Sequence, residues 1–338
     1  MAKKINLALQ GGGAHGAFTW GVLDRLLDDD EIEISAMSGA SAGALNGAAL
    51  KAGLLTGGRE GARENLDWLW GRVGSLGDLR LTGWMTGMGP SAGAISQALE
   101  YSMPFTMVDA ASRVFSPYHY GPFYRNPLES IASRFKYEAV CAEEGPALFV
   151  CATNVETGKV KVFTGSEITT KAILASACLP TSFQAIEIDG QFYWDGGYTG
   201  NPALFPLFDK DLPDDIVVVN INPIIRPGVP KEPREILNRI NEISFNSSLL
   251  RELRAISFVQ RLISEGAVED GAMKQVLVHM IADDELMTDL SVASKTVPTQ
   301  GVIIELRDAG RVAADTFLKD HRDKIGVSSS ANLAEMYE

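Results

Sequence analysis

The chain has 338 residues, of which 46% are apolar and 22% charged, and its net charge is −13. This length suits one large α/β domain, or a domain with an appendage, around a sizeable core, and the balance is that of an ordinary globular protein. The acid excess argues against nucleic acid as a partner, because phosphate binding needs a basic surface. It also repels anionic membranes on average, while leaving a local apolar patch free to dock on a bilayer.

Three cysteines (Cys141, Cys151 and Cys178) form neither a disulfide framework nor a C-x-x-C metal pattern, which suits a reducing compartment. No signal-peptide core follows Met1-Ala2-Lys3-Lys4-Ile5, and no run approaches the ~18 consecutive apolar residues of a membrane span. A cytoplasmic location is expected, with peripheral contact at a membrane left open.

In chain order, Ile5 to Leu9 reads as a short buried strand, Gln10 to Gly16 as a glycine-rich turn, and Ala17 to Leu27 as a helix. Phe18, Val22, Leu23, Leu26 and Leu27 form that helix's broad apolar face. Asp28-Asp29-Asp30 ends it, and Ile32 to Met37 is the second strand. A small-residue helix follows from Ala44 to Leu50. This β-turn-α-β-turn-α opening starts a parallel sheet with helices on its faces.

The stretch from Gly71 to Gly93, with Leu79, Leu81, Trp84, Met85 and Met88, has weak periodicity. Met103, Phe105, Met107 and the aromatic cluster from Tyr118 to Tyr124 follow it. The section from about 75 to 130 is a candidate cap over a site for long apolar ligands, set against ordinary core packing, since methionine and aromatic residues fill any core.

Ala147 to Asn154 is a strand that turns through Glu156-Thr157-Gly158-Lys159 into Val160 to Phe163. Ile168 to Cys178 is a short helix ending before Pro180. Phe183 to Ile188 and Gln191 to Trp194 form a hairpin across Asp189-Gly190. Ile216 to Asn222 is a central strand. Pro223, Pro227, Pro230 and Pro233 mark a linker, after which Arg234 to Ser264 is helical. Val276 to Ile281 and Val302 to Leu306 read as further strands, and Asp308 to Asp320 as another helix.

Three elements carry chemistry. Gly11-Gly12-Gly13-Ala14-His15-Gly16 presents backbone N–H groups with few side chains in the way, ahead of a helix dipole, and so builds an anion hole. Gly39-Ala40-Ser41-Ala42-Gly43 is a G-x-S-x-G elbow at a strand end, which holds a serine hydroxyl out for attack on a carbonyl. Asp195-Gly196-Gly197, at the end of the Phe192-Tyr193-Trp194 strand, places a carboxylate in a glycine turn that can approach another loop closely. Serine needs a base within hydrogen-bond reach. None of His15, His119, His279 and His321 sits in an obvious base-like context, so a Ser–Asp dyad is the economical reading.

In this order and these contexts the chain resembles the patatin-like phospholipase family. That family joins a glycine-rich oxyanion loop, a G-x-S-x-G serine and a distant D-G-[GA] aspartate. Ala175-Ser176-Ala177-Cys178-Leu179-Pro180 looks like its small-residue helix before the aspartate strand. Coverage runs from about Ile5 to Asn222. The resemblance implies a three-layer α/β/α fold with a mostly parallel central sheet; a catalytic domain over 1–225 is expected, followed by a mainly helical region over 226–338 that lies outside the resemblance. It implies catalysis by Ser41 and Asp195, without metal or cofactor, on lipid or other acyl esters through an acyl-enzyme. The oxyanion hole falls to Gly11, Gly12, Gly13 and Ala14, and the elbow and motif positions to Gly39, Gly43, Gly196 and Gly197. His15 departs from the Arg or Lys the family usually carries in the loop, and reads most simply as a helix-start residue. The C-terminal apolar stripe, outside the resemblance, is expected to dock on the core.

Two other readings compete. Gly11-x-Gly13-x-x-Gly16 also fits a dinucleotide-binding turn, but the acids Glu31 and Glu33 lie at the start of the second strand, where a ribose-binding acid belongs at its end. An α/β-hydrolase triad of Ser41, Asp195 and His279 or His321 has the right order, but too few strands precede the elbow.

Overall fold

The computed structural model describes residues 2–76, 91–103, 105–107, 115–269 and 271–337. Its centre is a sheet in the order β5-β6-β3-β2-β1-β7-β8, with β4 on the free edge of β3. The strands are β1 (Lys3–Leu9), β2 (Ile32–Ala40), β3 (Ala147–Asn154), β4 (Val160–Thr164), β5 (Ile186–Ile188), β6 (Gln191–Asp195), β7 (Asp215–Val219) and β8 (Leu277–Ile281). The pairs β3–β2, β2–β1, β1–β7 and β7–β8 are parallel, while β4, β5 and β6 pair antiparallel.

Helices cover both faces. Labelled here are α1 (Gly16–Leu26), α2 (Ala42–Leu76, broken at Gly57 and Gly58), α3 (Ala92–Glu100), α4 (Thr170–Ser176), α5 (Pro233–Ser264), α6 (Val292–Thr296) and α7 (Gln300–His321). Alternate residues of the strands face opposite layers. Leu7, Leu9, Met37, Val217 and Val219 pack with α1, α2 and α7, whereas Ala8, Ala36, Ile216 and Val218 pack with α5 and with Leu204 and Leu207. Burial on both sides is why Ile216-Val217-Val218-Val219 is a continuous apolar run without alternation. The three-layer α/β/α arrangement expected from the sequence is present.

Several boundaries differ from the sequence reading. Val302 to Leu306 is the second turn of α7, and is not a strand. Val302, Ile303 and Leu306 are buried at helical spacing, and a short apolar run such as Val302-Ile303-Ile304 does not by itself distinguish strand from buried helix. Gly71 to Leu76 continues α2, whose Leu66, Leu69 and Trp70 lie in the core. Strand β7 stops at Val219, which releases Asn220, Ile221 and Asn222 into the loop that meets the glycine turn.

The chain after residue 225 is built into this architecture. It supplies edge strand β8, the α5 layer on one face, and α7, which lies along α1 on the other. The α1–α7 contact is backbone to backbone. A Cβ on Gly21 would lie 1.9 Å from the Arg307 carbonyl oxygen, and one on Gly310 would lie 2.0 Å from that of Phe18. Gly21→Ala is therefore expected to push the helices apart and destabilise the protein by about 1–3 kcal/mol. Chemical denaturation that gave an unchanged midpoint would refute this account of the contact.

Candidate active site

Ser41 stands alone between the last residue of β2 and the first of α2, with φ of 53°. That left-handed conformation costs a residue with a side chain about 1–3 kcal/mol, so its surroundings must impose it. Its N–H donates to Ser176 Oγ (2.9 Å) and to the Ser176 carbonyl (3.1 Å), and its own carbonyl accepts from Leu45 N–H in the first turn of α2 (3.1 Å). Ser176 Oγ in turn donates to the Cys151 carbonyl at 2.6 Å. The sharp turn leaves no room at the flanking glycines. A Cβ on Gly39 would lie 2.6 Å from the Gly43 carbonyl carbon, and one on Gly43 would lie 2.1 Å from the Leu9 carbonyl oxygen.

Register brings Asp195 to this turn. Ala40 pairs with Cys151, and the next residue of β3, Ala152, pairs with Asp195. Since β4 occupies the other edge of β3 at residues 149–153, β6 takes over the edge where β2 ends. Asp195 N–H donates to the Cys178 carbonyl (2.8 Å), and its carbonyl accepts from Thr153 Oγ1 (2.8 Å). One short segment, Ser176 to Cys178, thus anchors the backbones of both residues.

The Asp195 side chain is fully buried. Oδ1 accepts from Gly197 N–H at 2.7 Å, while Oδ2 has no hydrogen-bond partner among the described residues. Burial pushes this carboxyl up to about 7, against the lowering effect of Gly197 N–H and the nearby Ser41 hydroxyl. Both following glycines are required by contact: a Cβ on Gly196 would lie 2.2 Å from the Cys151 carbonyl oxygen, and one on Gly197 would lie 2.4 Å from the Phe245 ring.

The glycine loop packs directly on the elbow, where a Cβ on Gly11 would lie 2.7 Å from Ser41 Cβ. Both peptide groups of Gly11 are engaged. Its N–H donates to Asn201 Oδ1 (2.7 Å), and its carbonyl accepts from Asn222 Nδ2 (2.9 Å) and Asn201 Nδ2 (3.3 Å). Gly11 N–H is therefore not free to meet an anion, contrary to the sequence reading. The N–H groups of Gly12, Gly13 and Ala14 make no hydrogen bond to any described residue. Gly13 has φ of +58°, and a Cβ there would lie 2.3 Å from the Lys295 carbonyl oxygen.

The histidines lie elsewhere. His15 closes the turn before α1 with Nε2 2.8 Å from Ser294 Oγ, and burial first, then Lys295, holds it well below its ordinary pKa. His119 bonds within its own turn to Ser116. His279 is buried between Asp215 and Ser330, and His321 packs on Phe317. None bonds Ser41 or Asp195, which leaves a Ser–Asp–His triad without its histidine.

The described part of the expected cap mixes buried residues, such as Ala92 and Ser96, with exposed ones. Met103 and Met107 are 73% and 67% exposed, and the Tyr118 and Tyr124 hydroxyls accept from Ala185 and Gln184 N–H on the loop before β5. Leu79, Leu81, Trp84, Met85 and Met88 lie outside the described residues.

The sequence model described as Patatin-like phospholipase matches residues 7–208, more than half of the chain. The chain belongs to the patatin-like phospholipase family. No curated protein sequence matches it. Among solved structures, VipD from Legionella pneumophila is 13% identical, with a TM-score of 0.41, over 95% of this chain and 67% of that one. ExoU, in its complex with SpcU from the type III secretion system of Pseudomonas aeruginosa, is 16% identical with a TM-score of 0.28, over 96% of this chain and 61% of that one. At these values both likenesses are loose, and the assignment rests on the family match alone.

For this patatin-like chain, the residues that sequence reading missed are those holding the loops. Asn201 and Asn222 clamp Gly11. Gln10 Oε1 accepts from Ile221 and Asn222 N–H (2.9 and 3.1 Å), while its Nε2 donates to Asn246 Oδ1 (3.1 Å). Ser176 was singled out only as part of a small-residue helix. Their one visible signal is polarity inside otherwise apolar or small-residue stretches, as in Asn220-Ile221-Asn222. Among the described residues, no group of His, Cys, Asp and Glu side chains could hold a metal ion, and no helix is long and apolar enough to cross a membrane.

Proposed function

We propose that this protein hydrolyses lipid esters with a Ser41–Asp195 dyad through an acyl-enzyme. The observation that carries the reading is the strained Ser41 turn, held beside a buried Asp195 and under the glycine loop, where Asp195 Oδ2 and the N–H groups of Gly12, Gly13 and Ala14 have no hydrogen-bond partner among the described residues. Ser41 Oγ attacks the ester carbonyl while Asp195 takes its proton at Oδ2. The developing oxyanion is met by N–H groups of Gly12, Gly13 and Ala14, each a donor whose loss typically costs about 10²–10³ in rate. Collapse expels the alcohol with the proton from Asp195. A water then gives a proton to Asp195 and attacks the acyl carbonyl; collapse breaks the bond to Ser41 Oγ, which takes that proton from Asp195 as the fatty acid leaves. Family membership points to lipid as the acyl donor.

A fluorophosphonate probe and a panel of phospholipids, lysophospholipids and neutral lipid esters test this. The expected result is covalent labelling at Ser41 together with fatty acid release. A folded protein that is neither labelled nor active on any ester would overturn the reading.

Asp195 works as a base only when ionised. With its carboxyl raised to about 7, kcat/KM on a soluble ester should climb with pH through that value as a single ionisation. A profile flat down to pH 5 would instead mean a base of ordinary carboxylate acidity.

A further inference from the structure

Lys295 lies on α6, well beyond residues 7–208 of the family match, yet it meets the glycine loop directly through its carbonyl and indirectly through its ammonium. Its carbonyl oxygen fills the space where a Gly13 side chain would stand. Its ammonium donates to Asn222 Oδ1 (2.8 Å) and Asn241 Oδ1 (3.3 Å). Asn222 passes this on, since its Nδ2 donates to the Gly11 carbonyl at 2.9 Å. The ammonium also sits 5.9 Å from the Phe245 ring centre, and that ring packs on Gly197 beside Asp195. The nearest carboxylate acting on it, Glu242, is already bound by Arg226 and Arg239. Lys295 therefore enters this cluster through amides and a ring, without a salt bridge of its own among the described residues.

Burying an ammonium in that way is costly unless its hydrogen bonds are needed where they are. Here they hold two amides, those of Asn222 and Asn241, and the first bonds the Gly11–Gly12 peptide, which carries the Gly12 N–H. Rotation of Asn222 would remove the shorter of the two bonds to the Gly11 carbonyl, leaving only Asn201 Nδ2 at 3.3 Å, and so loosen the angle of the loop over Ser41. Geometry of an anion hole is sensitive to such changes, because its donors must already point at the developing charge.

We propose that Lys295 is a positioning residue for the proposed anion hole: through Asn222 and its own carbonyl it sets the angle of the Gly12–Ala14 N–H groups. This rests on the Ser41 hydrolase reading and extends it, because it makes the C-terminal segment part of the machinery for turnover. The residue is half-buried, and desolvation pushes its ammonium down to about 8.

The test compares wild type, Lys295→Met, Lys295→Gln and Lys295→Arg on a soluble p-nitrophenyl ester. Rates are expressed per active site titrated with the fluorophosphonate, so that misfolded material does not count. The expected result is a fall in kcat of roughly tenfold or more for Lys295→Met at nearly unchanged KM, with a smaller fall for Lys295→Gln, which still donates, and recovery in Lys295→Arg. A merely structural lysine would lower the melting temperature and leave kcat per titrated site at the wild-type value, and that outcome overturns the proposal. If Lys295→Met does not fold, the Gln and Arg variants decide between the same two outcomes. A wild-type protein with no labelled serine and no esterase activity would refute the hydrolase reading itself, which separates the two failures.

Discussion

Ser41→Ala is expected to abolish the proposed ester hydrolysis, a loss of at least about 10³-fold, and to leave the fold intact. The size follows from the arrangement. The three free N–H groups and the Asp195 carboxylate can still polarise a bound ester, but the acyl-enzyme route is closed without the hydroxyl. The fold survives because the backbone bonds of residue 41, to Ser176 and Leu45, do not involve Oγ. Alanine also keeps the Cβ that packs against Gly11.

Ser41→Gly should be equally inactive but more stable than Ser41→Ala by about 1 kcal/mol, because glycine takes φ of 53° without strain. Turnover assays and denaturant melts of the two variants check both halves. Retained turnover in the alanine protein would dismiss Ser41 as the nucleophile, and equal melting midpoints would dismiss the stored strain.

Asp195→Asn should lower turnover by roughly 10²–10⁴-fold, the usual contribution of a positioned base. Its effect on stability should run the other way and depend on pH. The folded-state carboxyl is raised from 3.8 to about 7, so the neutral acid is the form that the fold prefers. The stability this group contributes is complete below pH 4 and is lost as pH rises through about 7. At pH 8 the gap corresponds to on the order of 4 kcal/mol, an upper figure for one fully buried group.

Asparagine is neutral throughout, and its Oδ1 still accepts from Gly197 N–H. The variant should therefore melt close to wild type at pH 4 and several degrees above it at pH 8. Thermal unfolding at the two pH values measures this directly. A difference between the proteins that did not change with pH would mean that Asp195 ionises as freely in the fold as in water, and its role as a tuned base would go with it.

Much of this was legible in the chain itself. The strand-turn-helix context of Ser41, the glycine run after β1 and the Asp-Gly-Gly at the end of β6 are local patterns. Local patterns survive in sequence because the turn must be made by particular residues whatever surrounds it. The same holds for Ile216 to Val219, whose unbroken apolar run announces a strand covered on both faces. Where the local signal is shared by two structures it misled, as with Val302 to Leu306, where four apolar residues around Glu305 suit a strand or a buried helix turn equally well.

Contacts between distant segments left no such trace. That β6 continues the edge of β3 where β2 ends is a matter of register, and it alone carries Asp195 across 154 residues of chain to Ser41. The engagement of Gly11 N–H by Asn201, which removes it from the anion hole, depends on where a loop 190 residues away comes to rest. Lys295 gave no sequence signal at all, since a lysine on a short helix is ordinarily a solvated charge. The sequence by itself determined the turns at Ser41 and Asp195 and so the candidate reacting groups, because those are properties of a few neighbouring residues. Only the tertiary structure decided which N–H groups remain free, how strongly Asp195 holds its proton and what steadies the loop above Ser41, because burial and hydrogen-bond partners are set by the whole packed chain.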